Sequence, residues 1–201
     1  MKKYELTAEF IEQWGKKLFR IKALISFGSV EAGELGGYVE KEDNLAQDGD
    51  AWVCDDAWVC DDARVYGNAR VCDDARVYGN ARVCDDARVY GNAWVYGNAW
   101  VYGNAEVCGN AEVCGNADYL LIGRIGSRFS FTTFFKNKDK GITVSCGCFL
   151  GTIAEFRAKV TDTHGNNKHA KMYNLAADMA ELQILGEEHF DKLNTNKSEP
   201  F

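Results

Sequence analysis

Valine recurs at every sixth position, at 53, 59, 65, 71, 77, 83, 89, 95, 101, 107 and 113, without a slip. Alanine keeps the same beat from 51 to 117, so the unit is Ala-x-Val-(Cys/Tyr)-(Gly-Asn or Asp-Asp). A period of six matches neither the 3.6-residue helical turn nor a coiled-coil heptad. It does match a short strand followed by a corner. Side chains alternate along a strand, so Ala and Val point one way. The residue between them, and the Cys or Tyr after Val, point the other way. Gly, Asn and Asp tolerate the left-handed or bent backbone that a corner needs.

A single hexad cannot bury its own Val. Stacked hexads bury a column of Val and Ala and pair their backbones from coil to coil. An aliphatic residue with a small residue four places on, Val53 then Ala57 through Val113 then Ala117, resembles the hexapeptide-repeat family, whose fold is the left-handed parallel β-helix. The resemblance implies three hexads per triangular coil, wound against the usual right-handed crossover rule. The expected fold class is mainly β. About four coils span 51–118, roughly 20 Å tall at the inter-strand spacing of about 4.8 Å. Residues 1–50 are expected to form an N-terminal β cap and linker, 119–193 a small C-terminal α+β domain, and 194–201 a loose tail. The stretches Leu35–Glu42 and Cys146–Thr152 also make the whole chain similar to hexapeptide-repeat proteins of gut bacteria and their prophages, a likeness that brings no activity with it.

Residues eighteen apart should stack on one face. The first face then carries Trp52, Arg70, Arg88 and Glu106, the second Trp58, Arg76, Trp94 and Glu112, and the third Arg64, Arg82 and Trp100. The positions after Val add Tyr66, Tyr78, Tyr90, Tyr96 and Tyr102, interchanging with Cys54, Cys60, Cys72, Cys84, Cys108 and Cys114. Arg beside Trp and Tyr permits cation–π stacking, and these are the residue types of binding hot spots. These Trp, Arg and Tyr are the candidate binding surface. The bland alternative is that outward neighbours only shield each other's flanks.

The eight Cys, in a chain with no evident secretory signal, are expected to be reduced structural thiols in a cytoplasmic protein. Cys54 and Cys72 are expected as neighbours on adjacent coils. The Asp-Asp corners at 55–56, 61–62, 73–74 and 85–86 stack carboxylates, which repel unless a cation or Arg intervenes. Neutralisation by Arg64, Arg70, Arg76, Arg82 and Arg88 is expected, with Ca²⁺ as the alternative.

Before the coils, Tyr4–Ile11 and 16–27 suggest a hairpin covering the first coil, with Leu18, Arg20 and Lys22 on one side and Phe19, Ile21 and Ala23 on the other. Gly28, Gly33, Gly36 and Gly37 then mark a turning linker. After the coils, strands are expected at Tyr119–Ile125, Arg128–Phe135 and Gly141–Cys148. A helix capped by Thr152 and Glu155 follows and ends at Gly165. A second amphipathic helix covers Ala170–Leu185, with Met172, Leu175, Met179 and Leu182 at helical spacing. Cys146, Cys148, His164 and His169 form a weak candidate zinc set or thiol site. The alternative is a strand-end Cys pair with a helix-terminal His.

The net charge of −7 is uneven: +3 over residues 1–30, −6 over 31–50, −6 over 51–118 and +2 over 119–201. With no dominant basic surface, nucleic acid is not an expected partner. No apolar run of spanning length exists, so no membrane helix is expected. The family resemblance implies trimers and acyl transfer with a His as general base. The repeats hold no His and no interrupting loop, and His164, His169 and His189 all lie beyond them. The expectation is a self-associating scaffold or interaction protein, non-catalytic and without a cofactor. A divergent acyltransferase is one alternative. The other is a prophage factor that binds a host protein or holds a small ligand between subunits.

Overall fold

The computed structural model describes residues 2–188 and divides the chain into two compact units, Met1–Asn116 and Ala117–Phe201. The expected tail at 194–201 and His189 lie outside the described residues.

The first unit is a parallel β-solenoid of about four turns with an antiparallel hairpin added to one sheet. Strands β1 (Tyr4–Gln13), β2 (Lys16–Ala23) and β3 (Leu35–Val39) come first. Two-residue strands β4 to β14 follow at six-residue steps, from Trp52–Val53 to Glu112–Val113. They form three sheets, ordered β4-β7-β10-β13, β5-β8-β11-β14 and β6-β9-β12, each pairing residues eighteen apart. Trp52 N–H donates to the Ala69 carbonyl and Cys54 N–H to the Val71 carbonyl, both at 2.9 Å, and the pattern repeats up the stack. Every repeat Val and Ala from 51 to 113 is buried, so the aliphatic seam is the core.

The ladder begins earlier than the first full hexad. β3 pairs parallel with β5, and Leu45 bridges to Val65, so residues before Ala51 already form rungs. Gly36 and Gly37 therefore sit inside a strand rather than in a turning linker. A Cβ on Gly36 would lie 2.5 Å from the Val53 carbonyl oxygen, and one on Gly37 would lie 2.4 Å from that of Ala57. Only glycine permits this approach of chain to coil.

The hairpin extends the second-face sheet edgewise, in the order β1-β2-β3-β5. Leu18, Ile21 and Ala23 are buried, which strict alternation does not allow. A register shift between Arg20 and Lys22 flips the pattern. Lys3 is buried at the start of the stack, with its ammonium donating to the Ala51 carbonyl at 2.9 Å. Tyr4 donates its hydroxyl to the Leu45 carbonyl at 2.7 Å, and burial pushes its pKa upward. These bonds anchor the cap to the solenoid.

The corners follow one rule. From residue 55 to 110 the first residue of each turn pair takes positive φ, whether Gly67 (72°) and Gly79 (70°) or Asp55 (55°) and Asp61 (60°). The first Asp of each pair is held by a backbone N–H rather than by Arg. Asp61 accepts from Gly79 N–H at 3.0 Å, Asp73 from Gly91 N–H at 2.8 Å and Asp85 from Gly103 N–H at 3.1 Å. Among the described residues, ion pairs to corner acids come from Lys16 to Asp61 and Lys41 to Asp62, not from the repeat Arg. The expected Arg neutralisation is thereby corrected: a carboxylate one coil below an amide finds its donor directly above it.

The second unit is an antiparallel sheet with two helices. Its strands are β15 (Tyr119–Ile125), β16 (Ser130–Lys136), β17 (Ile142–Cys146) and β18 (Phe149–Thr152), in sequential order. Helix α1 (Ile153–His164) starts at a Thr152–Glu155 capping box and ends at Gly165, as expected. Helix α2 (Lys168–Leu185) is capped by Asn167, whose side chain accepts from His169 and Ala170 N–H. Its buried face is the surprise. Ala170, Tyr173, Ala176, Ala177 and Ala180 pack on Phe134, Phe156 and Val160. Met172, Leu175, Met179 and Leu182 are exposed, at 39%, 63%, 57% and 46%. Small residues let α2 approach closely, while Phe134, Phe156 and Tyr173 fill the space. The longer apolar stripe is left outside.

Candidate functional site

Residues eighteen apart stack at inter-strand spacing, which is also ring-stacking spacing, so the outward side chains form ladders. On the second face, the Arg76 guanidinium lies over Trp58 at 5.6 Å and over Trp94 at 5.1 Å. Beside it Tyr78 and Tyr96 stack with centroids 4.9 Å apart, and Tyr96 donates to Glu112 at 2.7 Å. Trp14, at the hairpin turn, sets its ring edge-on to Trp58 and Tyr78 at 4.9 and 5.0 Å. On this face Trp58 is buried, Arg76, Tyr78, Trp94 and Tyr96 are half-buried, and Trp14 is exposed.

The first face begins inside the protein. Trp52 is fully buried between Tyr4 and Phe27, with ring centroids 6.3 and 5.4 Å away. Trp52 and Trp58 are thus removed from the candidate binding surface, because the N-terminal segment covers both. Further along, Arg70 is half-buried and donates to Ser29 at the short distance of 2.5 Å, Arg88 is exposed, and Tyr90 is half-buried.

The same face corrects the cysteine expectation. Cys54 and Cys72 form a disulfide across adjacent coils, with Cα atoms 4.7 Å apart. The in-register stack brings these side chains together, as their spacing of eighteen suggested. The other six cysteines stand outside any disulfide. Burial raises the Cys60 thiol to about 12 and the Cys108 thiol above its ordinary value, which keeps both protonated and inert.

The third face is the open one. Arg64 and Arg82 stand in adjacent register and are both exposed. Neither forms an ion pair among the described residues. Arg82 lies over Trp100 at 5.8 Å, and Trp100 packs on Tyr102 at 5.6 Å. Trp100 is 42% and Tyr102 50% exposed, and the indole N–H donates to the Cys84 sulfur at 3.1 Å. Tyr66, half-buried, joins Arg64 and Arg82 in a groove of about 510 Å³, bounded at its far side by Glu42 and Asp43. Of the fourteen ladder residues named from sequence, this face gathers Arg64, Tyr66, Arg82, Trp100 and Tyr102. Part of the groove wall lies in segment 44–50, whose Asn-Leu-Ala-Gln-Asp-Gly-Asp reads as a degenerate first hexad, and Leu45 bridges to Val65 as a rung of the ladder.

In the second unit, Cys146, Cys148 and His164 line a cleft of about 400 Å³ with Arg128, Lys159 and Tyr173. The Cys146 sulfur accepts from the Thr132 hydroxyl at 3.2 Å, and His164 stacks on Tyr173. His169 lies 5.8 Å from His164 between ring centroids. Cys146, Cys148, His164 and His169 do not bring their donor atoms together as a metal set among the described residues. Two other groups do converge, Cys54-Asp55-Cys72 and Glu40-Cys60-Asp61. The first is committed to the disulfide, and in the second Lys16 already occupies the carboxylates.

Five overlapping windows of the chain, residues 57–73, 63–79, 69–85, 81–97 and 87–103, match the YdcK beta solenoid repeat. No curated protein matches the chain. Among the described residues no helix is long and apolar enough to cross a membrane.

Proposed function

We propose that this β-solenoid repeat protein is a non-catalytic scaffold that presents its third face to a protein partner. One observation carries the reading: two exposed guanidinium groups in adjacent register, with no ion pair among the described residues, beside an exposed Trp–Tyr pair. Like charges opposed across a ladder are unfavourable by themselves. A partner carboxylate between them would relieve that repulsion and would take the guanidinium fork geometry. Trp100 and Tyr102 supply the apolar anchor that an interface needs at its centre. The solenoid backbone is bonded from coil to coil, so the face is preorganised and binding orders little else.

In its self-associating form, the partner is another copy, closed as a trimer, and the acidic corners supply the carboxylates. Left-handed winding and a cytoplasmic setting belong to the same reading. The test compares wild type with an Arg64→Glu/Arg82→Glu/Trp100→Ala variant by native mass spectrometry, and by quantitative proteomics of co-purifying proteins. A trimer, or a partner carried by wild type and lost in the variant, supports the proposal. Identical masses and identical co-purifying proteins refute it. Thermal stabilisation by acetyl-CoA would favour the acyltransferase alternative. A small ligand retained only in an oligomer, or a host protein bound equally by both variants, would favour the prophage factor.

A further inference from the structure

We propose that the outer face of α2 is a self-complementary seam that pairs antiparallel with α2 of a second copy of this chain. The surface belongs to the second unit. Met172, Leu175, Met179 and Leu182 are exposed at successive steps of three, four and three residues. That is the a/d spacing of two heptads, the pattern by which one helix seats its apolar knobs on another. The buried face of α2 runs through Ala170, Ala176, Ala177 and Ala180, so the stripe is surplus to the unit's own core.

The charges choose the occupant and its direction. The first turn of α2 carries Lys168 and Lys171 and no acid, and its last turn carries no base. Glu187 and Glu188 follow just past the C-cap Gly186, and all four charged residues are exposed. This polarity opposes the helix dipole, which favours acids at the N-terminus and bases at the C-terminus. A second α2 laid antiparallel offsets it. Setting Met172 opposite the partner's Leu182, and Leu175 opposite the partner's Met179, brings Lys168 beside the partner's Glu187 and Glu188. The same contacts recur at the other end, as two-fold symmetry requires. A parallel pair would set Lys against Lys and Glu against Glu. Four apolar side chains per copy make a small interface, so dissociation on the order of micromolar is expected.

The test is sedimentation equilibrium of the full chain across a concentration series. Wild type is expected to show a concentration-dependent doubling of mass through this seam, from monomer to dimer, or from trimer to hexamer where the third face has closed a trimer. Leu175→Asp should weaken it at least 100-fold, with far-UV circular dichroism and melting unchanged because the side chain is exposed. Lys168→Glu/Lys171→Glu should weaken it about 10-fold, and adding Glu187→Lys/Glu188→Lys should restore it. A monomer or an unchanging trimer at every concentration overturns the proposal, as does a charge swap that fails to restore pairing. Doubling that survives Leu175→Asp but is lost on Trp100→Ala assigns the contact to the solenoid's third face instead, and likewise overturns it.

Discussion

Substitution of Gly79 separates the two requirements of a corner: left-handed backbone and a partner for the amide above. Gly79 has φ of 70°, and a Cβ there would lie 3.1 Å from Gly97 N and 3.3 Å from Gly97 O. Gly79→Ala takes on the left-handed cost of about 1–2 kcal/mol plus the strain of pushing the next corner by a few tenths of an ångström. A total of about 2 kcal/mol is expected. Gly79→Asp meets the same Cβ but tolerates the backbone better, and its carboxylate can accept the Gly97 N–H. The chain already does this one coil apart, where Asp73 N–H donates to Asp55 at 3.3 Å and Gly91 N–H donates to Asp73 at 2.8 Å. At a solvent-exposed corner that bond offsets about 1 kcal/mol. The Asp variant should therefore be about 1–2 kcal/mol more stable than the Ala variant. All five Trp lie at or before residue 100, so urea unfolding followed by Trp fluorescence reports the solenoid unit. With an m-value of about 2 kcal/mol/M, the Ala midpoint should fall by about 1 M and the Asp midpoint by half of that or less. Equal midpoints, or Asp below Ala, would refute the reasoning.

Trp52→Ala should cost about 3–5 kcal/mol, because it empties the space between Tyr4 and Phe27, whereas Trp100→Ala should stay within about 1 kcal/mol; urea midpoints decide. The hydrogen bond from Lys16, followed by that from Gly79 N–H, holds the Asp61 carboxyl below the usual range. Its stabilising contribution is complete above the unfolded value of about 3.9 and is lost as pH falls through the lower folded value. Asp61→Asn should remove that part of the acid dependence, and melting temperatures from pH 7 to pH 2 that track wild type would contradict it. Alkylation in denaturant without reductant should label six of the eight cysteines, and reduction should expose two more. Reduction should also lower stability by up to about 3 kcal/mol, since the disulfide closes an eighteen-residue loop, and eight labels before reduction would exclude the bond.

The solenoid was legible because its period is local and repeated. Val at every sixth position can be hidden only by stacking hexads, the turn pairs fix where the chain bends, and the family resemblance implied three hexads to a coil. The Thr152–Glu155 box and Gly165 were legible for the same reason, being backbone chemistry within a few residues. The site was harder to see. Sequence placed fourteen Trp, Tyr and Arg on the outside, yet whether an outward residue meets water depends on what covers it. Trp52 and Trp58 are hidden by Tyr4, Trp14 and Phe27, dozens of residues away.

The amino-acid order alone determined the six-residue beat, the inward Val and Ala, the two C-terminal helices and the cap of the first; the stacking of positions eighteen apart was implied by the family resemblance. These follow from side-chain alternation, corner conformations and capping bonds that neighbours in the chain supply. Tertiary structure decided that Gly36 and Gly37 belong to a strand, that Cys54 meets Cys72, that corner carboxylates bind amides rather than Arg, and that α2 buries its alanines instead of its Met and Leu stripe. Each of these depends on which distant surface arrives and how closely it packs, and hydrophobic periodicity carries no record of that.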